Sequence, residues 1–151
     1  MIKQLEPKIS VEEHKRLKLP YERLNTLLNE LKNRDLSYDV SGTINDKVAE
    51  INAFGGTPKA LSKLLTESHY NIITLVKNEE GLFPKNYFQN SWLALGLSVF
   101  GLPIGVVWMA IYDNAAFIGL GLPIGLVIGM FIGMQKDKKV KKENKQLNIE
   151  S

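Results

Sequence analysis

His14 and His69 are the chain's two histidines. They have the widest chemical range near neutral pH, as base, acid or metal ligand. Neither belongs to a His-x-x-x-His or His-Glu-x-x-His spacing, the arrangements that set two imidazoles on one helix face around a metal. Glu12-Glu13-His14 is acidic enough to attract a stray cation, yet it reads as a solvated helix start. Ser62, Ser68 and His69 lack the strand-turn-helix context of a nucleophile elbow. No Gly-rich loop opens a helix after a strand, because Gly55-Gly56 reads as a helix terminator. There is no cysteine, so thiol and disulfide chemistry are excluded. The residues therefore point to no catalytic, cofactor-binding or metal site, and the chain is expected not to be an enzyme.

What remains is the chemistry of packing and of surfaces, and it concentrates in Trp92 to Met134. This stretch holds one charge, Asp113 near its middle, and eight of the chain's twelve glycines. It repeats a motif, Gly101-Leu102-Pro103-Ile104-Gly105 and Gly121-Leu122-Pro123-Ile124-Gly125. Residues 92–112 at 1.5 Å per residue reach about 31 Å, the thickness of a bilayer's hydrocarbon core. Residues 115–134 are of nearly the same length. Backbone groups in lipid must be bonded within their own segment, so two helices joined at Asp113-Asn114 are predicted. Asp113 is then a turn residue rather than an intramembrane acid.

Gly121, Gly125, Gly129 and Gly133 recur every four residues, which makes a smooth groove along one helix face. Gly101 and Gly105 answer it on the first span. Small residues let two backbones approach closely, and packing rather than hydrophobicity drives association in lipid. The groove can meet the other span of its own chain or another copy, and the residues leave both open. Pro103 and Pro123 are expected to kink their helices, each by removing a backbone hydrogen bond. The repeat runs in opposite directions in a hairpin, as in transporters, but two spans without a buried charge are too little for a transport site.

Charge placement gives an orientation. Residues 1–91 carry 13 Lys/Arg against 12 acids, and residues 135–151 carry six lysines against three acids. The basic excess thus sits beside the second span, at Lys136, Lys138, Lys139, Lys141 and Lys142, and the connector has no Lys or Arg. The positive-inside rule predicts both termini in the cytoplasm and Asp113 outside. The same lysines would attract anionic lipid, by about 1 kcal/mol each near the surface. Tyr87, Phe88 and Trp92 are the expected anchors at the inner interface, and Trp108 and Tyr112 at the outer one. The lysines form a short flank, not a basic face on a folded module, so nucleic acid is excluded as a partner.

The stretch Gly81-Leu82-Phe83-Pro84-Lys85-Asn86-Tyr87, the paired Gly-Leu-Pro-Ile-Gly blocks and Asp137-Lys138-Lys139 resemble small bacterial glycine-zipper membrane proteins. The resemblance covers about residues 81–143. It implies a hairpin in a bacterial inner membrane and brings no catalytic residue.

The elements ahead of the hairpin read as short helices. Ser10 and Glu13 form a capping box before a helix from Val11 to Lys18, which Pro20 ends or bends. Residues 1–8 ahead of it read as frayed. Leu24, Leu27, Leu28 and Leu31 mark the apolar face of a helix from Tyr21 to Asn33. Asp35 to Gly42 reads as a loop, and Ile44, Val48 and Ile51 belong to a helix from Thr43 to Phe54, closed by a left-handed Gly55-Gly56 cap. Thr57-Pro58 opens a fourth helix to Lys77, with Leu61, Leu64, Leu65, Ile72 and Ile73 inward.

The expected architecture is an all-α membrane protein. It has a cytosolic helical domain at 1–80, an interfacial segment at 81–91, a transmembrane hairpin at 92–134 and a basic cytosolic tail at 135–151. Met1-Ile2-Lys3-Gln4-Leu5-Glu6 lacks the apolar core of a signal peptide, so insertion is expected to rely on the hairpin. Three functions stay open: a membrane-anchored module that binds a partner or a second copy, an oligomeric pore or permeabilising effector gated by the N-terminal domain, and an accessory subunit of a membrane complex.

Overall fold

A computed structural model describes residues 1–6 and 14–150. The predicted Ser10–Glu13 capping box lies outside the described residues. Among those described, five helices run in chain order: α1 Lys15–Lys32, α2 Tyr38–Ala53, α3 Pro58–Glu80, α4 Tyr87–Tyr112 and α5 Ala115–Lys142. The described residues also form two short strands, β1 Phe83–Lys85 before α4 and β2 Gln146–Glu150 after α5, and they pair in a two-stranded sheet. The chain divides into one unit of Met1–Phe83 with Leu147–Ile149, and a second of Pro84–Gln146 with Glu150.

The first unit is a helical bundle around aliphatic side chains. Leu24, Leu27, Leu28 and Leu31 of α1, Ile44, Val48 and Ile51 of α2, and Leu61, Leu65 and Ile72 of α3 are buried, as their spacing requires. Leu64 and Ile73 pack partly buried at the edge of this core. Val40, Val76, Leu147 and Ile149 complete it.

Three boundaries differ from expectation. Pro20 lies inside α1, which is continuous from Lys15. Proline there frees only the carbonyl of Arg16, the second residue of the helix and an exposed one where water can bond it, while Leu17 and Leu24 are fully buried on either side. α2 begins five residues early at Tyr38, because the Ser37 hydroxyl accepts the Val40 N–H at 3.4 Å and caps it. Its end uses no left-handed glycine: Phe54 leaves in extended conformation at φ −68°, ψ 118°. The left-handed glycine is Gly81, at φ 64°, which closes α3.

Residues 1–6 are not frayed. Ile2 and Leu5 are buried in the bundle core, and Asn45 and Asn52 of α2 hydrogen-bond to their backbone. Nor is the C-terminal stretch a plain tail. α5 continues to Lys142, and Leu147 and Ile149 of β2 alternate into the bundle core with exposed Asn148 between them.

The second unit is a helical hairpin. α4 and α5, of 26 and 28 residues, are each long and apolar enough to cross a membrane. The connector is as short as expected. Asp113 takes a left-handed conformation at φ 47°, and Asn114 Oδ1 accepts the Ala116 N–H at 2.9 Å to start α5.

Candidate functional site

From Gly96 to Gly133 every buried residue is a glycine: Gly96, Gly101 and Gly105 on α4, and Gly121, Gly125, Gly129 and Gly133 on α5. The reason is backbone proximity. A Cβ built at Gly125 would lie 2.5 Å from Gly101 N and 2.6 Å from its Cα. One at Gly121 would lie 2.7 Å from Gly105 Cα, one at Gly129 3.0 Å from Gly96 Cα, and one at Gly133 2.5 Å from Gln89 Cα. Contacts under 3.0 Å with backbone leave no room for any side chain. The two predicted glycine sets therefore meet each other within one chain.

The spacing of the α4 set needs explanation. Gly101 and Gly105 are four residues apart, but Gly96 and Gly101 are five apart. At 3.6 residues per turn, a five-residue step rotates about 140° away and would turn Gly96 off the face. α4 solves this by widening. Gly96–Gly101 form a π turn, and the Leu102 N–H donates to the Leu97 carbonyl five residues back. The extra residue in this widened turn takes up the five-residue step and restores Gly96 to the row. Pro103 follows at once; without an N–H it cannot close a regular turn onto Val99. Pro123, by contrast, lies within continuous α5. Both prolines are exposed, unlike the buried glycines.

The α5 row does not stop at Gly133. The next residue at the same spacing is Asp137, which is only 8% exposed. Its two carboxylate oxygens accept the N–H groups of Phe88, at 3.1 Å, and Gln89, at 2.9 Å. These are orphan donors in the first turn of α4, and Asn86 at the cap position, with φ 58°, gives no side-chain bond. Asp137 thus caps the first helix from the second, with two charge-assisted bonds and a favourable place at the positive end of the helix dipole. Asp137 enters the sequence only as part of the Asp137-Lys138-Lys139 motif, with no capping role expected of it. The available signal was a single acid that continues the four-residue glycine spacing into a lysine run.

Around this cap the predicted interfacial residues gather. The Lys136 ammonium stands 5.1 Å from the Trp92 ring centroid and 5.7 Å from that of Phe88, within cation–π range. Tyr87 meets Phe88 edge to face at 5.3 Å. A depression of about 280 Å³ beside them is lined by Lys85, Asn86, Gln89, Asp137, Lys138 and Lys141. Lys139 and Lys142 are exposed nearby on the same helix. At the other end of the hairpin, Tyr112 stacks on Phe117 across the connector at 4.7 Å, and Trp108 is half-buried.

His14 and Ser62 line one cleft of about 550 Å³ with Lys15, Arg16 and Lys59, and no carboxylate is among its described lining residues. Among the described residues, Ser68 and His69 do not line the cleft that holds His14 and Ser62. Ser68 is buried in α3. No group of three metal-ligating side chains occurs among the described residues. His69 has its pKa lowered from the ordinary 6.5, first by burial and then by the charge of Arg23. The folded bundle thus favours neutral His69, while the unfolded chain takes up the proton more readily. Stability present above pH 6.5 is expected to fall as the pH drops below it. Urea midpoints from pH 7.5 to 5 should show this slope, and His69→Gln should flatten it; an equal slope in both proteins would exclude His69 as its source.

The chain matches no protein-family model, no curated protein and no solved structure.

Proposed function

We propose that this chain is a membrane-anchored helical interaction module: α4 and α5 cross a bacterial cytoplasmic membrane as a hairpin, and the bundle makes contacts with partners on the cytoplasmic side. One observation carries the reading. The hairpin buries seven of its eight glycines and turns large apolar side chains outward, among them Val99, Val106, Val107, Ile111, Val127 and Phe131. A soluble core helix does the reverse. So much contiguous apolar surface in water would drive aggregation, whereas hydrocarbon solvates it.

The ends of the hairpin support the orientation. Lysines cluster at the Asp137 end, beside Phe88 and Trp92, and the Asp113 turn has none. The depression lined by Lys85, Lys138 and Lys141 suits anionic headgroups of the inner leaflet. An oligomeric pore gated by the bundle is the competing reading. It requires the glycine row to face another copy, and here that row is taken up by Gly96, Gly101 and Gly105 of the same chain, which favours the anchor.

Because the chain has no cysteine, single engineered thiols report its topology without background. An impermeant maleimide should label Asp113→Cys in intact cells, and Lys145→Cys only after permeabilisation. Alkaline carbonate should leave the protein in the membrane pellet. Release into the supernatant, or equal labelling of both positions in intact cells, would overturn the reading.

A further inference from the structure

α2 presents Asn45 and Asn52, two helical turns apart on one face, to the chain's first six residues. Each carboxamide makes a paired contact of the kind one strand makes with the next. Asn45 Oδ1 accepts the Lys3 N–H at 2.7 Å, and its Nδ2 donates to the Met1 carbonyl at 3.1 Å. Asn52 Oδ1 accepts the Glu6 N–H at 3.1 Å, and its Nδ2 donates to the Gln4 carbonyl at 3.1 Å. From α1, the Tyr21 hydroxyl donates to the carbonyls of Leu5, at 3.4 Å, and Glu6, at 3.3 Å.

The geometry is matched to an extended guest. Asparagine carries an acceptor and two donor hydrogens on one rigid group, so it can engage an N–H and a C=O two residues apart along an extended chain. Seven residues of α2 rise about 10.5 Å. The clamped pairs and the two buried side chains both repeat every three residues, the period of a polyproline II chain, in which three residues span about 9 Å. The two clamps therefore stay in register. Only Ile2 and Leu5 are recognised by side chain, each 6% exposed, while Met1, Lys3, Gln4 and Glu6 point to solvent. This is a receptor for an extended backbone with apolar residues at its second and fifth positions.

We propose that this face of α2, with Tyr21, is an exchangeable docking site, and that its occupant in trans is residues 1–6 of a second copy. Every contact made in cis is reproduced when the segment comes from another copy, so exchange loses no bond. The cis contact is also small: two buried apolar side chains and six mostly exposed side-chain–backbone hydrogen bonds are set against the ordering of six residues. Chains held in one bilayer meet at high local concentration; in this respect the inference rests on the anchor reading. The hairpin's glycine face is already taken within the chain, which leaves the bundle to carry a shared contact.

Complementary full-length variants test this in detergent. One copy carries Ile2→Asp and Leu5→Asp, with its groove intact. The other keeps its segment and carries Asn45→Ala and Asn52→Ala. Differently tagged, this pair should co-isolate at least tenfold above either variant mixed with itself. A labelled Met-Ile-Lys-Gln-Leu-Glu peptide should bind the first variant at least tenfold more tightly than the unmodified protein, whose own segment competes, and should not bind the second. If the aspartates unfold the bundle, Ile2→Ala with Leu5→Ala replaces them, and added peptide should raise its melting midpoint. No peptide binding by a folded first variant would overturn the docking site. Peptide binding without co-isolation of the pair would overturn the second copy as occupant. Neither measurement needs a bilayer, so a failed membrane reading would show separately in the carbonate and labelling experiments.

Discussion

Gly125→Leu is expected to open the hairpin. The first carbon of the new side chain would lie 2.5 Å from Gly101 N and 2.6 Å from its Cα. These are backbone atoms inside a helix and cannot rotate away. α4 and α5 must separate, and the close contacts at Gly121 and Gly129 go with them. Overpacking of this kind costs about 3 kcal/mol, at the upper end of its usual range. Gly119→Leu is the matched control, because nothing lies within 4 Å of a Cβ there; its cost should stay within about 0.5 kcal/mol. Denaturation of the two variants in one detergent, compared with the unmodified protein, measures both. Equal effects at the two glycines would mean that the row is not a packing face. Altered assembly with the hairpin intact would place the row between copies instead.

Asp137→Ala should loosen the lysine-flanked end of the same hairpin. It removes both acceptors from the Phe88 and Gln89 N–H groups, which lie partly buried in the first turn of α4. Stranding such donors costs about 1–3 kcal/mol. Asp137→Asn keeps one oxygen acceptor and loses the charge, so it should fall between alanine and the unmodified protein. Amide hydrogen exchange reads the effect at the place it occurs: Phe88 and Gln89 should exchange faster, while amides near Gly105 keep their protection. Unchanged exchange at Phe88 and Gln89 in the alanine variant would dismiss Asp137 as the cap.

These expectations differ in how much of them the residues declared. The row from Gly121 to Gly133 was legible because its four-residue period nearly matches a helical turn, so residue order alone puts it on one face. Gly96 was not, since its five-residue step to Gly101 lies on that face only after the helix widens. Asp137 was hidden among lysines, where a lone acid reads as a solvated charge. In the bundle, the leucines of α1 could be assigned inward from spacing. Its continuity through Pro20 could not, because a proline stop is a local preference that packing on both sides overrides. The helix at Tyr38 was obscured by Asp39 and Gly42, which read as a loop until Ser37 is seen capping it.

The sequence by itself determined what composition and short periods determine. It specified two long apolar segments around one polar turn, a basic flank after the second, a glycine row, and the aliphatic faces of the bundle helices. Each depends on neighbours within a turn or two of the chain. Tertiary structure alone decided which surface the glycines meet, where Asp137 sends its oxygens, and how Asn45 and Asn52 hold residues 1–6. The hydrogen bonds among them join residues some forty or more positions apart, and the glycine contacts join opposite arms of the hairpin. Nothing local selects among the partners of an amide or a carboxylate; the choice is made when the packed helices bring one backbone within hydrogen-bond reach.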